Sequence, residues 1–309
     1  MTTMGKVRRV LFGIPSEKAV FSRKGFAPEA WQRFQPVAHS LVAGYHAALE
    51  DPRLAVLVPR LNAVAQELHG FAYEGAGMAL AALDLITFSG GRRLKEFTDG
   101  PGAAHIYPIY VGVGLALARL KRNPEAYLSK LDPLLGWVIV DGYGFHEGFF
   151  RRRKYIDRHA RPTRLSPYAQ RVFDQGLGRA IWFWCGGVVN LVLNTIDGFQ
   201  YERRADLWSG VGLASAYGGG ADRSGLYALM AYAQPYRAQL ARGAATAAAG
   251  RELAGNPTPH TDLACEVYCG LASREASRML DKAREELGEI RAEPAYEAWR
   301  RRTEALLTV

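Results

Sequence analysis

Apolar residues recur every three to four positions along most of the chain, which is the spacing of one face of an α-helix. This spacing predicts helices over residues 30–50, 61–86, 126–150, 226–253 and 272–290. The first of these is followed by Asp51-Pro52 and the second by Ser89-Gly90-Gly91, and both sequences are typical helix ends. No stretch alternates apolar and polar residues as a half-buried strand does. We therefore predict an all-α protein.

The longest stretch without a charge is residues 180–196, AIWFWCGGVVNLVLNTI, and we predict that it forms one fully buried helix. It is shorter than the roughly 20 apolar residues that a membrane-spanning helix needs. The apolar stretch near the N-terminus, Val10 to Ile14, is too short for a signal peptide. The three cysteines, an odd number, give no disulfide framework. We expect a cytoplasmic protein with no membrane span.

Two parts of the chain resemble each other at an offset of 98 residues, the distance from Gly112 to Gly210. The segments YVGVGLALARL (110–120) and LWSGVGLASAY (207–217) share Gly-Val-Gly-Leu-Ala. A second element recurs near residues 65–76, 169–180 and 264–276, again about 100 residues apart. This pattern predicts a helical repeat-like architecture, with two to three units of about 100 residues packed around a central cavity.

The predicted organisation has three parts. Residues 1–24 are an N-terminal extension, and residues 272–309 are charged, amphipathic C-terminal helices. Between them, residues 25–271 form a single all-α domain. The internal repeats are predicted at about residues 30–125, 126–225 and 226–290.

The composition is that of a globular protein with a substantial core: 49% of the 309 residues are hydrophobic and 22% are charged. The net charge of +9 reflects basic clusters at residues 149–164 and 296–304. No zinc-finger spacing or RNA-binding aromatic motif accompanies them, so we predict a solvated basic face and no nucleic acid. The alternative is an acidic protein partner, such as a phosphopantetheine-bearing carrier protein.

Polar residues interrupt the apolar helices at four places. They are His69, Tyr73 and Glu74; Asp141, His146 and Glu147; Asp174, Gln175 and Arg179; and His260, Asp262 and Glu266. A buried ionised carboxylate is costly unless it is paired or binds a metal, so these sets predict either a site or buried ion pairs. Arg179 could pair with Glu74 or Asp174. The candidate catalytic residues are Glu74, His146, Glu147, Asp174 and Arg179.

Aromatic residues lie close to these polar sets in the sequence. They predict either core packing or a slot for a flat, apolar, conjugated molecule. The candidate substrate-binding residues are His69, Tyr73, Asp141, Tyr143, Phe145, Phe149, Gln175, Trp182 and Trp208. Glycines inside the same helices each cost roughly 1 kcal/mol relative to alanine. They indicate close approach of another helix or of a ligand.

Two other kinds of site are less favoured. The ligand types of a di-iron site are present in Glu74, His146, Glu147, His260 and Glu266, but no Glu-x-x-His pair occurs. No serine lies in a G-x-S-x-G motif. Cys185 sits among apolar residues, which raises the pKa of a thiol and does not activate it. The sequence leaves open whether a metal, oxygen or an organic cofactor is needed.

Five motifs in order resemble the domain-of-unknown-function family 1702, whose members are often named enediyne biosynthesis protein. They are GFAYEGAGMALAALD, YVGVGLALARL, DGYGFHEGFF, DQGLGRAIWF and LWSGVGLASAYGGG. The resemblance extends from about Gly25 to about Leu271. It implies a role in enediyne polyketide antibiotic biosynthesis beside an iterative polyketide synthase, where a linear polyene becomes the enediyne core. It implies no particular catalytic residue.

Two hypotheses of function follow. In the first, the protein is an enzyme of enediyne core maturation that acts on a linear conjugated polyene or polyyne by proton transfer, rearrangement or dehydrogenation. Glu74 or His146 would move protons, and Arg179 would orient a carboxylate or a developing charge. In the second, the protein is a non-catalytic polyene carrier or a docking subunit. Its basic face would then meet the polyketide synthase or companion biosynthetic proteins.

Overall fold

The computed structural model describes residues 2–15, 32–288 and 294–307. These residues form helices and connecting turns, with no β-strand among them, which confirms the all-α prediction. The predicted boundary between an N-terminal extension and the main domain, at residue 25, lies outside the described residues. The division of the chain into three parts stays a prediction.

The helices are numbered in chain order over the described residues. They are α1 (Thr3–Phe12), α2 (Gln35–Glu50), α3 (Leu54–Leu61), α4 (His69–Ile86), α5 (Arg92–Thr98), α6 (Ile106–Arg119), α7 (Val138–Phe150), α8 (Pro167–Trp184), α9 (Val189–Asp197), α10 (Tyr201–Gly218), α11 (Arg223–Tyr232), α12 (Arg237–Leu253), α13 (Pro259–Cys269), α14 (Ser273–Glu285) and α15 (Ala295–Leu307). Short 3₁₀ turns precede α4, α6, α7 and α12, and a π turn follows α7.

Two of the predicted helices are shorter than expected because proline interrupts them. The helix predicted over 226–253 is divided into α11 and α12 at Gln234-Pro235, since proline lacks the N–H that would continue the hydrogen bonds. The helix predicted over 126–150 begins only at Val138. Before it, the Asp132 carboxylate accepts hydrogen bonds from the backbone N–H of Leu134 and Leu135, at 2.9 and 2.7 Å, which favours a turn around Pro133.

The prediction of one buried helix over residues 180–196 was wrong. Helix α8 ends at Trp184 and α9 begins at Val189. Between them Gly186 and Gly187 have φ of 62° and 70°, in the left-handed region that favours glycine. The chain therefore turns at Gly186-Gly187, and only the part before the turn is fully buried.

Seven helices form a row in which each packs on the next: α2, α4, α6, α7, α8, α10 and α12. Each of the five inner helices carries a Gly-x-Gly sequence at the contact. The pairs are Gly75/Gly77, Gly112/Gly114, Gly142/Gly144, Gly176/Gly178 and Gly210/Gly212. In every pair the first glycine faces the preceding helix of the row and the second faces the following one. The end helices contribute one glycine each, Gly44 and Gly243.

These contacts bring backbone against backbone. A Cβ atom on any of the glycines in the row would lie less than 3.0 Å from the backbone of the neighbouring helix. Residues two apart on a helix point about 200° apart, so a Gly-x-Gly pair can serve two neighbours on opposite sides. Close packing, with weak Cα–H···O contacts, offsets the poor helix propensity of glycine. For these glycines, helix packing explains the pattern seen in the sequence.

The glycine pairs also explain the offset noted in the sequence. The first glycines of successive pairs are 37, 30, 34 and 34 residues apart, and Gly243 follows 33 residues after Gly210. The offset of 98 residues between Gly112 and Gly210 therefore spans three helices of the row. The structural period is one helix and its connection. Larger units of about 100 residues stay a prediction.

The C-terminal helix α15 is anchored by buried ion pairs. Arg300, only 2% exposed, pairs with Asp206 of α10 and donates to Glu297 at 3.2 Å. Arg171 of α8 bridges Asp206 and Glu297 at 3.0 and 2.8 Å. The basic cluster at 296–304 is thus not wholly a solvated face, because Arg300 is buried and forms ion pairs inside the protein.

In the described part of the chain, no single helix is long and apolar enough to cross a membrane. Residues 92–98 and 103–119 pass the length and composition criteria only as a pair, and that pair is bent by 97°.

We predict that replacing a contact glycine of the row by alanine destabilises the protein, whereas replacing a helical glycine outside these contacts does not. Helix α12 provides a matched pair. Gly243→Ala should destabilise the protein by about 1–3 kcal/mol, because its Cβ would meet the backbone at Ser209 and Leu213. Gly250→Ala should be neutral or stabilising by up to about 1 kcal/mol, because the nearest atom to its Cβ would be 3.7 Å away. Urea unfolding of both variants tests this. Equal stability of the two variants would contradict the role given to the row.

Candidate functional site

A cavity of about 490 Å³ lies against helices α2, α4, α6, α7 and α8. Its walls are mainly apolar and rich in phenylalanine. They include Val37, Leu41, Phe71, Met78, Leu115, Phe145, Phe149, Phe150 and Phe183. The titratable side chains that line the cavity are Glu74, Arg119, His146 and Arg179. This combination of an apolar wall and a few polar groups is typical of a small-molecule site.

Glu74 is the most unusual group in this cavity. Its side chain is buried, with 3% exposure, and no described residue donates a hydrogen bond to its carboxylate. Burial raises its pKa to about 7, a net value in which Arg179 opposes the shift and Asp141 adds to it. A carboxylate with a pKa near neutrality can both accept and return a proton at physiological pH.

Beyond Glu74 lies a second, narrow space of about 40 Å³. Residues from α4, α6, α7, α8, α10, α12 and α15 line it. Glu74 and Arg179 contribute to both the cavity and this space, so they stand where the two meet. Tyr107, Tyr217 and Tyr296 are among the residues that line the narrow space.

Arg179 is held by Asp141 of the adjacent helix α7. Its Nη1 donates to Asp141 Oδ1, and Asp141 Oδ2 accepts a hydrogen bond of 2.9 Å from Gln175 Nε2. The guanidinium also lies 5.1 Å from the centre of the Phe145 ring. The expectation that Arg179 pairs with Glu74 or Asp174 was wrong. Asp141, predicted as a substrate-binding residue, is its ion-pair partner.

Gln175 continues the network towards α10 and α12. Its Oε1 accepts hydrogen bonds from Ser209 Oγ at 3.2 Å and from Arg242 Nη1 at 3.0 Å. Arg242 Nε in turn donates to Glu304 Oε1 at 2.7 Å. The sequence reasoning missed Ser209 and Arg242. Together these contacts fix Asp141, and through it Arg179, in one orientation.

The same position on five helices of the row supplies polar groups. It is the residue immediately before a contact glycine, and these residues are Glu74, Asp141, Gln175, Ser209 and Arg242, whereas α6 carries Val111 there. Glu74, Val111, Asp141 and Gln175 line the narrow space, and the other two bond to Gln175. Alignment of the chain on its helical glycines would therefore have found Ser209 and Arg242.

Three buried polar atoms around this network have no hydrogen-bond partner among the described residues. They are Arg179 Nε, the Tyr217 hydroxyl and Arg242 Nη2. Arg179 and Tyr217 line the narrow space, and Tyr217 is coupled electrostatically to Glu74 and Arg179. Buried unpaired donors are rare in folded proteins, and such groups point to a bound ligand or ordered water.

His146 and Glu147 are neighbours on α7 but have different surroundings. His146 lines the cavity, with 13% of its side chain exposed. Its Nδ1 lies 3.4 Å from Glu147 Oε1. Glu147 does not line the cavity and accepts a 3.0 Å hydrogen bond from Arg151. Burial opposes ionisation of Glu147, but the contacts with His146 and Arg151 prevail and lower its pKa. Glu147 is thus an ion-pair residue in this structure.

Asp174 lies outside both spaces. Its two oxygens accept hydrogen bonds from Arg203 Nε and Nη2, at 2.8 and 2.5 Å. Arg203 also donates to the backbone oxygen of His159 at 2.7 Å, so the pair joins α8, α10 and the segment after α7. Asp174 and Arg203 are both buried. The ion pair accounts for the buried charge of Asp174 without a catalytic role.

Five of the nine candidate substrate-binding residues lie away from the cavity and the narrow space. The Tyr73 hydroxyl donates to Asn62 Oδ1 at 3.0 Å, and its ring stacks on His105 at 3.9 Å. His69 Nε2 lies 3.1 Å from the backbone oxygen of Val64. The remaining three pack elsewhere: Tyr143 lies near the Phe173 ring, Trp182 donates to Gly219 O, and Trp208 lies near the Tyr232 ring. Phe145, Phe149, Asp141 and Gln175 do line one of the two spaces.

Within the described ranges, no three or more His, Cys, Asp or Glu side chains gather as a metal ion would require. The five residues of metal-ligand type noted in the sequence therefore do not come together. Burial raises the pKa of the Cys185 thiol to about 11, which confirms the prediction that this thiol is not activated.

A larger cavity of about 700 Å³ lies elsewhere, against α4, α5 and α6. Its lining includes Lys95, Tyr127, Lys130 and Asp132. None of the candidate catalytic or substrate-binding residues borders it.

The chain belongs to the family described as protein of unknown function (DUF1702), whose model matches residues 3–307. No curated protein and no solved structure shows significant similarity to it. The matched residues include all seven helices of the row and the residues that line the cavity.

We predict that Glu74 controls how stability depends on pH. Its pKa is about 4.5 in the unfolded chain and about 7 in the folded protein, so the folded state favours the protonated form. The stability from this group is therefore present below about pH 4.5 and lost as the pH rises towards 7. The difference in unfolding free energy between Glu74→Gln and wild type should therefore increase by about 2–3 kcal/mol from pH 5 to pH 8, in favour of the variant.

Urea unfolding at several pH values measures this difference. Glu285→Gln is the control, because Glu285 is exposed and its substitution should leave the pH profile unchanged. A constant difference between Glu74→Gln and wild type would show that Glu74 is ionised in the folded protein throughout this range.

Proposed function

We propose that this member of the DUF1702 family is a biosynthetic enzyme that acts on a linear conjugated polyene or polyyne during assembly of an enediyne polyketide. One observation carries the proposal: Glu74, with a pKa near 7 and no hydrogen-bond partner among the described residues, at the inner end of an apolar cavity. The phenylalanine walls suit a flat, apolar, conjugated chain. The resemblance of the five sequence motifs to enediyne biosynthesis proteins supports the pathway.

Glu74 would act as the proton-transfer group. Its carboxylate would remove a proton from a chain carbon next to the conjugated system, and the electron pair of the broken C–H bond would enter that system. The protonated Glu74 would then return the proton to another carbon, which shifts the double bonds and balances the reaction without an oxidant. Removal of a proton is also a step that rearrangement and elimination routes share.

Arg179 and Tyr217 would stabilise the charge that develops on the chain. Arg179 is fixed by Asp141, and neither its Nε nor the Tyr217 hydroxyl has a hydrogen-bond partner within the described ranges. Donors that are already oriented in a dry site stabilise a developing anion at little reorganisation cost. His146, on the cavity wall nearer its outer part, would be a second proton-transfer group.

A carrier or docking function is the second candidate, and the basic segment after α7 favours it. Residues 151–164 contain seven arginines and lysines and a single acidic residue. Arg151 and Arg161 pair with Glu147 and Glu202. Arg153 and Arg158 are exposed and have no carboxylate within 4.0 Å among the described residues. Such a surface would suit an acidic partner, for example a polyketide synthase or a companion biosynthetic protein.

Hydrogen exchange into the polyene distinguishes the two functions. We predict that wild-type protein, incubated in heavy water with the linear polyene from the iterative synthase, places deuterium on a chain carbon, as measured by mass spectrometry. Glu74→Gln should lower this exchange by about 10²–10⁴-fold, because the base is lost, while the polyene still binds.

Glu275→Gln, at an exposed site on α14, should exchange as wild type does. Binding of the polyene with no exchange by the wild-type protein would favour the carrier function. Exchange by Glu74→Gln at the wild-type rate would remove Glu74 from the mechanism.

A further inference from the structure

One cation that lines the cavity, Arg119, has no carboxylate partner in the part of the chain that the structure describes. Arg119 is the last residue of α6, lines the cavity and is exposed to solvent. Its guanidinium lies 3.5 Å from the backbone oxygen of Phe12 and 5.9 Å from the centre of the Tyr45 ring. Among the described residues no carboxylate lies within 4.0 Å of it. Its positive charge is therefore open to a ligand.

The other charged groups of the cavity are arranged differently. Arg179 is already paired with Asp141, so it brings little net charge to the inner end. A permanently ionised carboxylate placed at that end would be desolvated beside Glu74 and Asp141, which is unfavourable. The charge that develops during proton transfer differs, because Glu74 is then protonated and neutral. The electrostatics of the cavity thus favour an anion at Arg119 and a neutral group near Glu74.

The distance between Arg119 and Glu74 can be estimated along helix α6. Gly112 packs directly on the backbone of Glu74, and Arg119 lies seven residues further along the same helix. At 1.5 Å per residue, this places Arg119 about 10 Å from the level of Glu74 along the helix axis. Leu115 and Met78 line the cavity between them. An apolar stretch therefore separates the cation from the proposed base.

We propose that the ligand of this cavity is an amphiphile: a linear apolar chain that ends in a carboxylate, with the carboxylate on Arg119 and the chain directed towards Glu74. The proposal rests on the proposed function, since it names the class of polyene that the cavity accepts. An arginine fork matches a carboxylate with two parallel hydrogen bonds. Its exposed position leaves the charged end of the ligand partly in water, which avoids the cost of burying it.

Binding of trans-parinaric acid tests this assignment, because it is a linear conjugated tetraene whose fluorescence rises in apolar surroundings. The matched neutral probe is the corresponding alcohol. We expect both probes to bind the wild-type protein. Arg119→Gln should weaken binding of the acid about fivefold and leave the alcohol unchanged, since only the acid loses an ion pair. Higher salt should likewise weaken the acid alone.

Arg122→Gln is the matched control, because Arg122 follows α6 closely, is exposed and lines neither cavity, and its substitution removes the same charge. Unchanged binding of the alcohol shows that Arg119→Gln is folded. The proposal is overturned if Arg119→Gln binds the acid as wild type does, or if Arg122→Gln weakens it equally. If neither probe binds the wild-type protein, the proposed function itself fails.

Discussion

Contact between helix backbones at glycine is the constraint on which the rest of this structure depends. Five Gly-x-Gly sequences, with Gly44 and Gly243 at the ends, let seven helices approach their neighbours more closely than any residue with a Cβ would allow. Because each pair faces two sides of its helix, each inner helix can pack closely on two neighbours, and the helices form a row in chain order. The glycines thus specify which helices meet and at which residue along each helix.

The site follows from this arrangement. The residue before each contact glycine lies at the same place on successive helices, and there the chain carries Glu74, Asp141, Gln175, Ser209 and Arg242. Four of these five form one hydrogen-bonded network that fixes Arg179. Glu74 stands apart from it, with no donor among the described residues, and its burial raises its pKa. Rigid packing therefore keeps this carboxyl group buried, where its ionised form is costly.

Part of the fold and of the candidate site can be predicted from the sequence. The rest cannot, for physical reasons. Helical spacing predicts the all-α class, and costly glycines inside helices indicate close approach. The turn at Gly186-Gly187 is not predicted from the sequence, because an uncharged apolar stretch has the same composition whether it forms one helix or two. Glu74 and Arg179 are recognisable as charges in apolar helices. The partner of Arg179, which is Asp141, is not recognisable, and neither is Arg203, the partner of Asp174, since both pairs depend on contacts between residues 38 and 29 positions apart in the chain.

The central claim is that the phenylalanine-lined cavity binds a conjugated chain with Glu74 at its inner end. A crystal structure of the protein with a bound linear polyene tests it most directly. The account predicts the chain in the cavity beside α2, α4, α6, α7 and α8, with one of its carbons about 3–3.5 Å from a Glu74 carboxylate oxygen. A polyene bound instead in the larger cavity bordered by Lys95 and Lys130, with none near Glu74, would contradict the claim.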